Sequence, residues 1–310
     1  MAVTKEKIKE KALELGFSFC GFAEARSLEQ EWAFFSSYLQ EKRNAAMYYL
    51  ERNPEKRLDP RLVFEGTKTV IALLFNYFPP EVLPENDNFI ISKDAYGRDY
   101  HVVVKERANA LIRFMNEEAG NVKAKAFVDS GPVLEKAWAR MCGIGWTGKN
   151  TLVINPSQGS FHFIAIIFTD LLLEPDTPET DHCGSCTKCM DACPTGALEK
   201  PFVLNPSLCI AYLTIELKDG IPENLEGKLN GRIYGCDACQ DVCPYNRFAI
   251  PHALPELSPS EVLRSFRKKD WMSLSEEEFR MIFKDSAIRR IGYKKLMNNI
   301  RSASGSQEIN

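Results

Sequence analysis

Seven of the ten cysteines in this chain fall in two short runs, and their spacing constrains the fold more than any other feature. The first cysteine run has the pattern C-x2-C-x2-C-x3-C-P and consists of Cys183, Cys186, Cys189 and Cys193. The second cysteine run repeats the end of this pattern, again before a proline, with Cys236, Cys239 and Cys243. Such spacing is typical of segments that bind [4Fe–4S] clusters through thiolates. The sequence therefore predicts a protein that transfers electrons.

In segments with two such clusters, the cysteine before the proline binds the other cluster, so each cluster takes ligands from both runs. We therefore expect the first three cysteines of the first run to share one cluster with Cys243. Cys193 then joins Cys236 and Cys239 on the second cluster, which needs one more thiolate. Cys209 is the nearest remaining cysteine upstream of the second run, and it completes the set.

Two zinc sites built from C-x2-C pairs are the main alternative for these cysteines. Consecutive C-x2-C steps followed by C-P favour iron–sulfur clusters over zinc. A disulfide framework suits the chain less well, because 310 residues bury a core without cross-links and no apolar signal segment follows Met1. Cys20 and Cys142 stand alone among apolar neighbours, and we expect both to be small buried hydrophobes.

Composition allows a substantial core and gives no sign of a membrane span. The 310 residues are 45% hydrophobic and carry a formal net charge of −3, and this size favours two or three domains. The longest apolar stretch, 161–168, has the length of a strand. Because no export signal is seen and the clusters are oxygen-labile, we expect the protein to act in the cytoplasm and not at a membrane. The net charge neither requires nor excludes a nucleic-acid partner, since a local basic face is sufficient.

Hydrophobic periodicity predicts an α+β segment ahead of the cysteine runs and a helical segment behind them. Helices are predicted at 4–15, 28–40, 102–118, 133–141, 258–266 and 275–283. Strands are predicted at 69–75, 125–128, 151–154 and 161–168. The proline-containing acidic stretch 174–181 is the predicted linker, and 302–310 is a predicted disordered tail. The predicted domains are therefore 1–175, 176–255 and 256–310.

The segment from Gly143 to Asn150 nearly matches the phosphate-binding pattern G-x-x-x-x-G-K-[ST], but Asn150 replaces the hydroxyl residue that binds magnesium. A predicted helix precedes the segment and a predicted strand follows it, which is the reverse of the order in a P-loop. The sequence therefore argues against ATP binding. Two interpretations remain: an ordinary helix–strand connection, or a ligand-binding loop in which Lys149 and Asn150 donate hydrogen bonds.

Asp129 lies in the sequence D-S-G-P, between a predicted strand and a predicted helix. Polar residues before Pro132 suit a helix cap. A carboxylate at the end of a strand also suits a catalytic role. Position alone favours the cap.

Several segments together resemble the epoxyqueuosine reductases, which are corrinoid- and iron–sulfur-dependent enzymes that complete queuosine at the wobble position of tRNA. The shared segments include R-L-D-P-R at 57–61, Y-G-R-D-Y-H at 96–101, V-D-S-G-P at 128–132, G-W-T-G-K-N at 145–150, C-I-A-Y-L-T-I-E at 209–216 and F-K-D-S-A-I-R-R at 283–290. Cysteine runs of this spacing occur in many redox proteins, but their combination with these segments is specific.

The resemblance implies a nitroreductase-like domain that binds cobalamin, followed by a ferredoxin-like domain whose two [4Fe–4S] clusters supply electrons. It implies that Asp129 gives a proton to the epoxide oxygen, which requires a carboxyl with a raised pKa. Residues expected to line the cofactor pocket are Arg57, His101, Asp129, Lys149 and Asn150. The cobalt supplies the reducing chemistry, and the protein supplies position and electrostatics.

The resemblance also implies two partners, a tRNA carrying epoxyqueuosine and an external donor such as reduced flavodoxin or ferredoxin, and we expect a monomer. Longer relatives carry a C-terminal helical-repeat domain, which we do not expect in this chain. We therefore expect RNA to bind on the cluster domain and near Arg289 and Arg290. Three other functions remain open. They are a corrinoid reductive dehalogenase, which usually carries an export signal, a dicluster electron-transfer protein without cobalt, and a zinc-dependent nucleic-acid-binding protein.

Overall fold

A computed structural model describes residues 3–305 of the chain. Its helices are α1 Lys5–Glu14, α2 Glu29–Gln40, α3 Pro54–Leu58, α4 Tyr100–Ala119, α5 Glu135–Met141, α6 Lys188–Asp191, α7 Glu223–Glu226, α8 Ala238–Asp241, α9 Glu261–Ser265, α10 Lys268–Met272, α11 Glu276–Ile282 and α12 Gly292–Ser304. Its strands are β1 Phe19–Glu24, β2 Thr69–Asn76, β3 Ile90–Ile91, β4 Ala124–Phe127, β5 Trp146–Thr147, β6 Val153–Ile154, β7 His162–Thr169, β8 Leu198–Lys200, β9 Val203–Leu204 and β10 Arg232–Tyr234. Within residues 3–305, no helix is long and apolar enough to cross a bilayer.

An antiparallel sheet of four strands, in the order β1-β2-β7-β4, forms the centre of the first half of the chain. The middle strands β2 and β7 pair along their whole length, from Thr69 opposite Thr169 to Asn76 opposite His162. Their residues are almost all buried because helices cover both faces of the sheet. Two covered faces require apolar side chains at consecutive positions, and this is why both strands appear in the sequence as unbroken apolar runs.

Helices α1 and α4 pack on one face of the sheet, where Ile8 and Leu111 are fully buried. Helix α5 packs on the other face through Trp138 and Ala139. The side chain of Asp99 caps α4 by accepting a hydrogen bond from the backbone N–H of His101 at 3.0 Å. This cap fixes the start of α4 at one edge of the sheet, near the turn that follows β4.

A further core joins the C-terminal helices to a segment from the first half of the chain. Strand β10 pairs in parallel with β3, and Phe89 and Tyr96 pack in one cluster with Trp271 and Ile300. Asn299 ties α12 to this core, because its Nδ2 donates to two buried backbone carbonyls at 2.8 and 2.9 Å. The segment around Tyr96 therefore links the central sheet to the C-terminal helices.

The mixed helix and sheet class is confirmed, and each predicted helix or strand is present with ends within three residues of the prediction. Strand β1 was missed, since its sequence F-C-G-F-A-E has no β-branched residue and its pairing with β2 stabilises it. The disordered tail is wrong for 302–304, which lie in α12, where the buried Ser302 donates to Glu226 at 2.8 Å. The rest of that tail, 306–310, lies outside the described residues. The predicted domain limits stay a prediction.

Candidate active site

Asp129 lies in the turn between β4 and α5, with its backbone in the left-handed region at φ 48°. Its N–H donates to Oε1 of Glu135 at 2.7 Å, which stabilises this turn. The residue before α5 is Leu134, and no side chain caps that helix. The cap interpretation of Asp129 is therefore wrong. Its side chain is 62% exposed, so a ligand can reach the carboxylate.

Two side chains from the first turn of α4 contact the Asp129 carboxylate. The hydroxyl of Tyr100 donates to Oδ2 of Asp129 at 2.8 Å, and Nε2 of His101 lies 3.6 Å from the same oxygen. The other ring nitrogen of His101, Nδ1, lies 2.7 Å from Oδ1 of Asp99. Tyr100 stacks between His101 and Phe163, with ring centroids 4.0 and 4.1 Å apart. The structure thus directs both ring nitrogens of His101 to carboxylates.

The expectation of a raised pKa for Asp129 is wrong. The surrounding protein favours the neutral acid, but the nearby His101 and the hydrogen bond from Tyr100 outweigh this effect and hold the pKa of Asp129 below its usual range. Burial lowers the pKa of His101, but Asp129 and Asp99 raise it by more, and the resulting pKa is about 9. At neutral pH these shifts favour a carboxylate on Asp129 and a proton on His101, against the opposing charge of Arg290.

Two more carboxyl groups near Asp129 have raised pKa values, and sequence reasoning missed both. Burial, with the charge of Asp129, raises the pKa of Glu135 to about 8. Burial, with the charge of Asp237, raises the pKa of Asp94 to about 6. An acidic residue in the first turn of a helix is common, so nothing in the local sequence distinguishes Glu135. The pKa of Glu135 is raised because the fold buries it next to Asp129, and a pKa of about 8 keeps it largely protonated at neutral pH.

Arg290 reaches this site from the far end of the chain. Its Nη1 lies 3.1 Å from Nε2 of His101, and its Nη2 lies 3.9 Å from Oε1 of Glu216. The sequence indicated Arg290 only as part of a basic segment for RNA binding. The structure brings its guanidinium next to the side chains that hold the proton.

Lys149 contacts the loop of the first cysteine run. Its Nζ donates to the carbonyl oxygens of Gly184 at 2.5 Å and Cys186 at 3.0 Å. Two of its three ammonium hydrogens are therefore directed to that loop, which leaves one for a ligand. Lys149 lies in the connection of a hairpin, because β5 before it pairs with β6 after it, so the glycine-rich segment is not a simple helix–strand connection.

Lys136 is a site residue that sequence reasoning did not single out. Its Nζ donates to the carbonyl of Thr151 at 3.0 Å. Burial lowers the pKa of Lys136, and the nearby Asp129, Cys239 and Cys209 oppose that effect. Its ammonium therefore lies near Asp129 and near two cysteines predicted to bind the second cluster.

Asn150 and Arg57 have buried donors that fit a ligand. Asn150 is 4% exposed, and its Oδ1 accepts from the N–H of Leu152 at 3.3 Å, whereas its Nδ2 has no hydrogen-bond partner in residues 3–305. Arg57 is buried, and among residues 3–305 its guanidinium donates to the backbone carbonyls of Tyr49 and Arg52 alone, at 2.9 and 3.4 Å. Buried donors without good acceptors are costly unless a ligand supplies them.

Electrostatic effects between thiols indicate which cysteines of the two runs lie near one another. Burial raises the pKa of Cys243, and the first two thiols of the first run raise it further. Burial also raises the pKa of Cys239, with contributions from Cys236 and Cys209, and Cys209 in turn lies near Cys193. Helices α6 and α8, which lie within the two runs, pack against each other. Cys189, which is assigned to the other cluster, also raises the pKa of Cys239, so crossed ligation stays a prediction.

Among residues 3–305, no three His, Cys, Asp or Glu side chains converge on one metal-ion position. A cubane cluster does not require such convergence, because each thiolate binds a different iron atom. The Sγ of Cys193 accepts a hydrogen bond from the N–H of Ala197 at 3.2 Å. Backbone N–H groups directed at cysteine sulfur are among the contacts that set the potential of an iron–sulfur cluster.

Comparison with known proteins gives the family. Residues 182–246 match the model of the 4Fe-4S double cluster binding domain, and residues 57–130 match that of "Epoxyqueuosine reductase QueG, DUF1730". The epoxyqueuosine reductase of Cellulophaga algicola is 47% identical over 96% of this chain and 98% of its own length. The chain belongs to the epoxyqueuosine reductase family. The Escherichia coli epoxyqueuosine reductase is 36% identical over 97% of this chain and 80% of its own length.

Solved structures of epoxyqueuosine reductases share this fold. One contains an epoxyqueuosine-modified tRNA-Tyr stem loop and superposes with a TM-score of 0.89 at 32% identity, over 96% of this chain and 80% of that chain. Another, from Bacillus subtilis, has a TM-score of 0.89 at 31% identity over the same shares, and its catalytic Asp loop is swung out of the active site. The predicted resemblance is confirmed, and the family is one of oxidoreductases.

Proposed function

We propose that the protein reduces epoxyqueuosine to queuosine at the wobble position of tRNA. In this reaction two electrons and two protons enter, both C–O bonds of the epoxide break, a C=C bond forms and the oxygen leaves as water. The observation that carries the proposal is the group of Tyr100, His101 and Asp129, an accessible carboxylate with an adjacent proton source, in a chain of this family.

The proposal includes two [4Fe–4S] clusters and cobalamin in a nitroreductase-like domain. When bound, cobalamin supplies a strongly reducing cobalt centre, and the clusters supply its electrons one at a time. The unpartnered Nδ2 of Asn150 and the buried guanidinium of Arg57 suit the amide and phosphate groups around a corrin. The remaining hydrogen of Lys149 is a third donor for the same periphery. His101 and Asp129 bound the pocket on the side of the substrate.

Asp129 delivers the proton to the epoxide oxygen in this proposal, although its carboxyl is ionised in the resting site. The imidazolium of His101, 3.6 Å away, supplies this proton to Asp129 as the epoxide C–O bond breaks and its oxygen takes the proton up, so Asp129 holds the proton only during the transfer. Tyr100 donates to the receiving oxygen of Asp129 at 2.8 Å and holds it in place. His101 keeps its proton up to about pH 9, so the relay is loaded at neutral pH. Glu135, whose Oε1 accepts a hydrogen bond from the N–H of Asp129, is the proposed source of the second proton.

In this proposal the two clusters, bound by crossed ligation, lie at different distances from Asp129. The cluster of Cys193, Cys209, Cys236 and Cys239 is proposed as the nearer one, because Lys136 lies close to two of those cysteines and to Asp129. The cluster of Cys183, Cys186, Cys189 and Cys243 then receives electrons from an external flavodoxin- or ferredoxin-type donor. We further propose that the protein acts in the cytoplasm as a monomer.

The test uses protein purified anaerobically, reconstituted with iron, sulfide and cobalamin, and assayed on a stem loop containing epoxyqueuosine. Wild type should hold about eight irons and about one cobalt and should form queuosine. Asp129→Asn should keep both cofactors, because Asn tolerates the left-handed conformation, yet lose about 10²- to 10⁴-fold in rate. Asp87→Asn is the matched control, since Asp87 is exposed and has the same backbone conformation at φ 54°. Retained turnover in Asp129→Asn would remove Asp129 from the mechanism, and eight irons without cobalt would favour an electron-transfer protein.

A further inference from the structure

A cleft of about 490 Å³ lies between the start of α4 and the segment that precedes α12. We call it the basic cleft. Its walls carry four cationic side chains and two carboxylates, namely Arg98, Lys284, Arg289, Arg290, Asp99 and Asp285. The lining alone has a formal charge of +2, but Glu106 lies 3.9 Å from Arg98 and Glu216 lies 3.9 Å from Arg290, so both arginines have a carboxylate at ion-pair distance. Arg289 has no such carboxylate among residues 3–305, and the capacity of the cleft to bind an anion centres on it.

The two carboxylates do not neutralise the cations that face the cleft. Asp99 is engaged by His101 at 2.7 Å, and Asp285 lies 3.9 Å from Lys284, a loose contact between exposed groups. Arg289 donates Nη1 to the carbonyl of Lys284 at 2.8 Å, and within residues 3–305 no carboxylate lies within ion-pair distance of it. The other guanidinium hydrogens of Arg289 are thus available to an anion, and their planar array matches a phosphate.

Main-chain hydrogen bonds hold the two walls of the cleft together. The N–H of Asp99 donates to the carbonyl of Asp285 at 2.6 Å, and the N–H of Arg98 donates to the carbonyl of Glu256 at 2.7 Å. The close approach requires glycine at position 97, because a Cβ there would lie 2.4 Å from the Glu256 oxygen. A cleft with fixed walls loses little entropy when it binds a ligand.

The basic cleft opens beside the proposed reaction centre. Arg290 lines the cleft, and its Nη1 lies 3.1 Å from His101, whose Nε2 is 3.6 Å from Asp129. An enzyme that acts on a base takes the nucleotide out of its stack, and the backbone phosphate of that nucleotide moves with it. An anion in the cleft would therefore lie close to the base that Asp129 acts on.

We propose that the basic cleft binds a backbone phosphate of the substrate RNA next to the modified nucleotide. This inference rests on the proposed function for its ligand. A cobalamin phosphate has the same chemistry and is the competing source. Arg98, Lys284 and Arg289 then bind the phosphate. Arg290 contacts both the phosphate and His101.

The experiment measures binding of an anticodon stem loop to the reconstituted protein by fluorescence anisotropy, over a series of salt concentrations. The variants are Lys284→Met and Arg289→Met, which remove a charge but keep an apolar stem, and Arg289→Lys, which restores the charge. Arg280→Met is the matched control, because Arg280 lies on α11 with a side chain 74% exposed, and it is ion-paired to Glu276 outside the cleft.

Each of the two Met variants should bind the stem loop about three- to tenfold more weakly, with a salt slope shallower by about one. Arg289→Lys should recover the slope, and Arg280→Met should match wild type. In turnover, the KM for RNA should rise more than kcat falls. Unchanged affinity and slope in both Met variants would overturn the proposal, as would loss of cobalamin with unchanged RNA binding. A wild type that binds RNA through the cleft but forms no queuosine would refute the proposed function and leave the cleft assignment standing.

Discussion

The charge of Asp99 should set the pH at which the proton relay fails, and Asp99→Asn tests this directly. Asparagine caps a helix as well as aspartate does, so α4 should begin at the same residue in the variant. The substitution removes only the negative charge that lies 2.7 Å from Nδ1 of His101. Any change in the pH profile then reports on electrostatics and not on the fold.

The magnitude follows from the pKa of His101, which the site raises from an ordinary 6.5 to about 9. At about 1.4 kcal/mol per pH unit, this difference corresponds to about 3 kcal/mol in favour of the imidazolium. Asp129 and Asp99 supply this effect against the opposing effects of burial and Arg290. Removal of one carboxylate of the two should lower the pKa of His101 to roughly 7 to 8.

The sign of the effect on activity follows from which form carries the proton. The relay needs the imidazolium, so activity is present below the pKa and is lost as pH rises through it. Wild type should lose activity near pH 9, whereas Asp99→Asn should lose it between roughly pH 7 and 8. With a pKa near 7.5, the variant should be about eightfold slower than wild type at pH 8.5 and nearly equal at pH 6.5.

The assay is single turnover of prereduced enzyme at saturating stem loop, followed from pH 6 to pH 9.5. Saturating RNA is needed because Asp99 also lines the basic cleft, so its charge affects RNA affinity. A descending limb at the same pH in both proteins would refute the assignment of His101 as the proton source. An equal loss of rate at every pH would indicate a structural role for Asp99 instead.

Two further predictions concern the clusters. Cys243→Ser should abolish the cluster of the first cysteine run and leave about four irons per chain. Electron paramagnetic resonance spectra should retain the signal of the other cluster. Loss of the second cluster alone would contradict crossed ligation. Lys149→Met removes a positive charge from the carbonyls of Gly184 and Cys186, so it should lower the reduction potential of the first cluster on the order of 50 mV at unchanged iron content. Lys105→Met is its control, since Lys105 is exposed on α4, away from both cysteine runs in sequence, and forms no ion pair in the described part of the chain. An unshifted potential in Lys149→Met would show that the ammonium does not act on that cluster.

Much of the architecture was predictable because its determinants are local in sequence. Unbroken apolar runs identified β2 and β7, and periodic apolar positions identified α4, since both patterns follow from which faces are covered. Strand β1 was not predictable in this way, because it has neither an unbroken apolar run nor a β-branched residue, and its pairing with β2 stabilises it. Lys136 was missed for the same reason, since its role depends on neighbours from three distant segments.

The sequence by itself determined the iron–sulfur chemistry, because cysteines separated by two or three residues lie on one loop whatever the rest of the chain does. The tertiary structure decided where the proton resides. Arg290 and His101 are 189 positions apart, and the pKa of Asp129 depends on His101 and Tyr100 from the start of α4. A carboxyl expected to be protonated is therefore ionised, since a pKa is set by the charges and hydrogen bonds around a group in space and not by its neighbours in sequence.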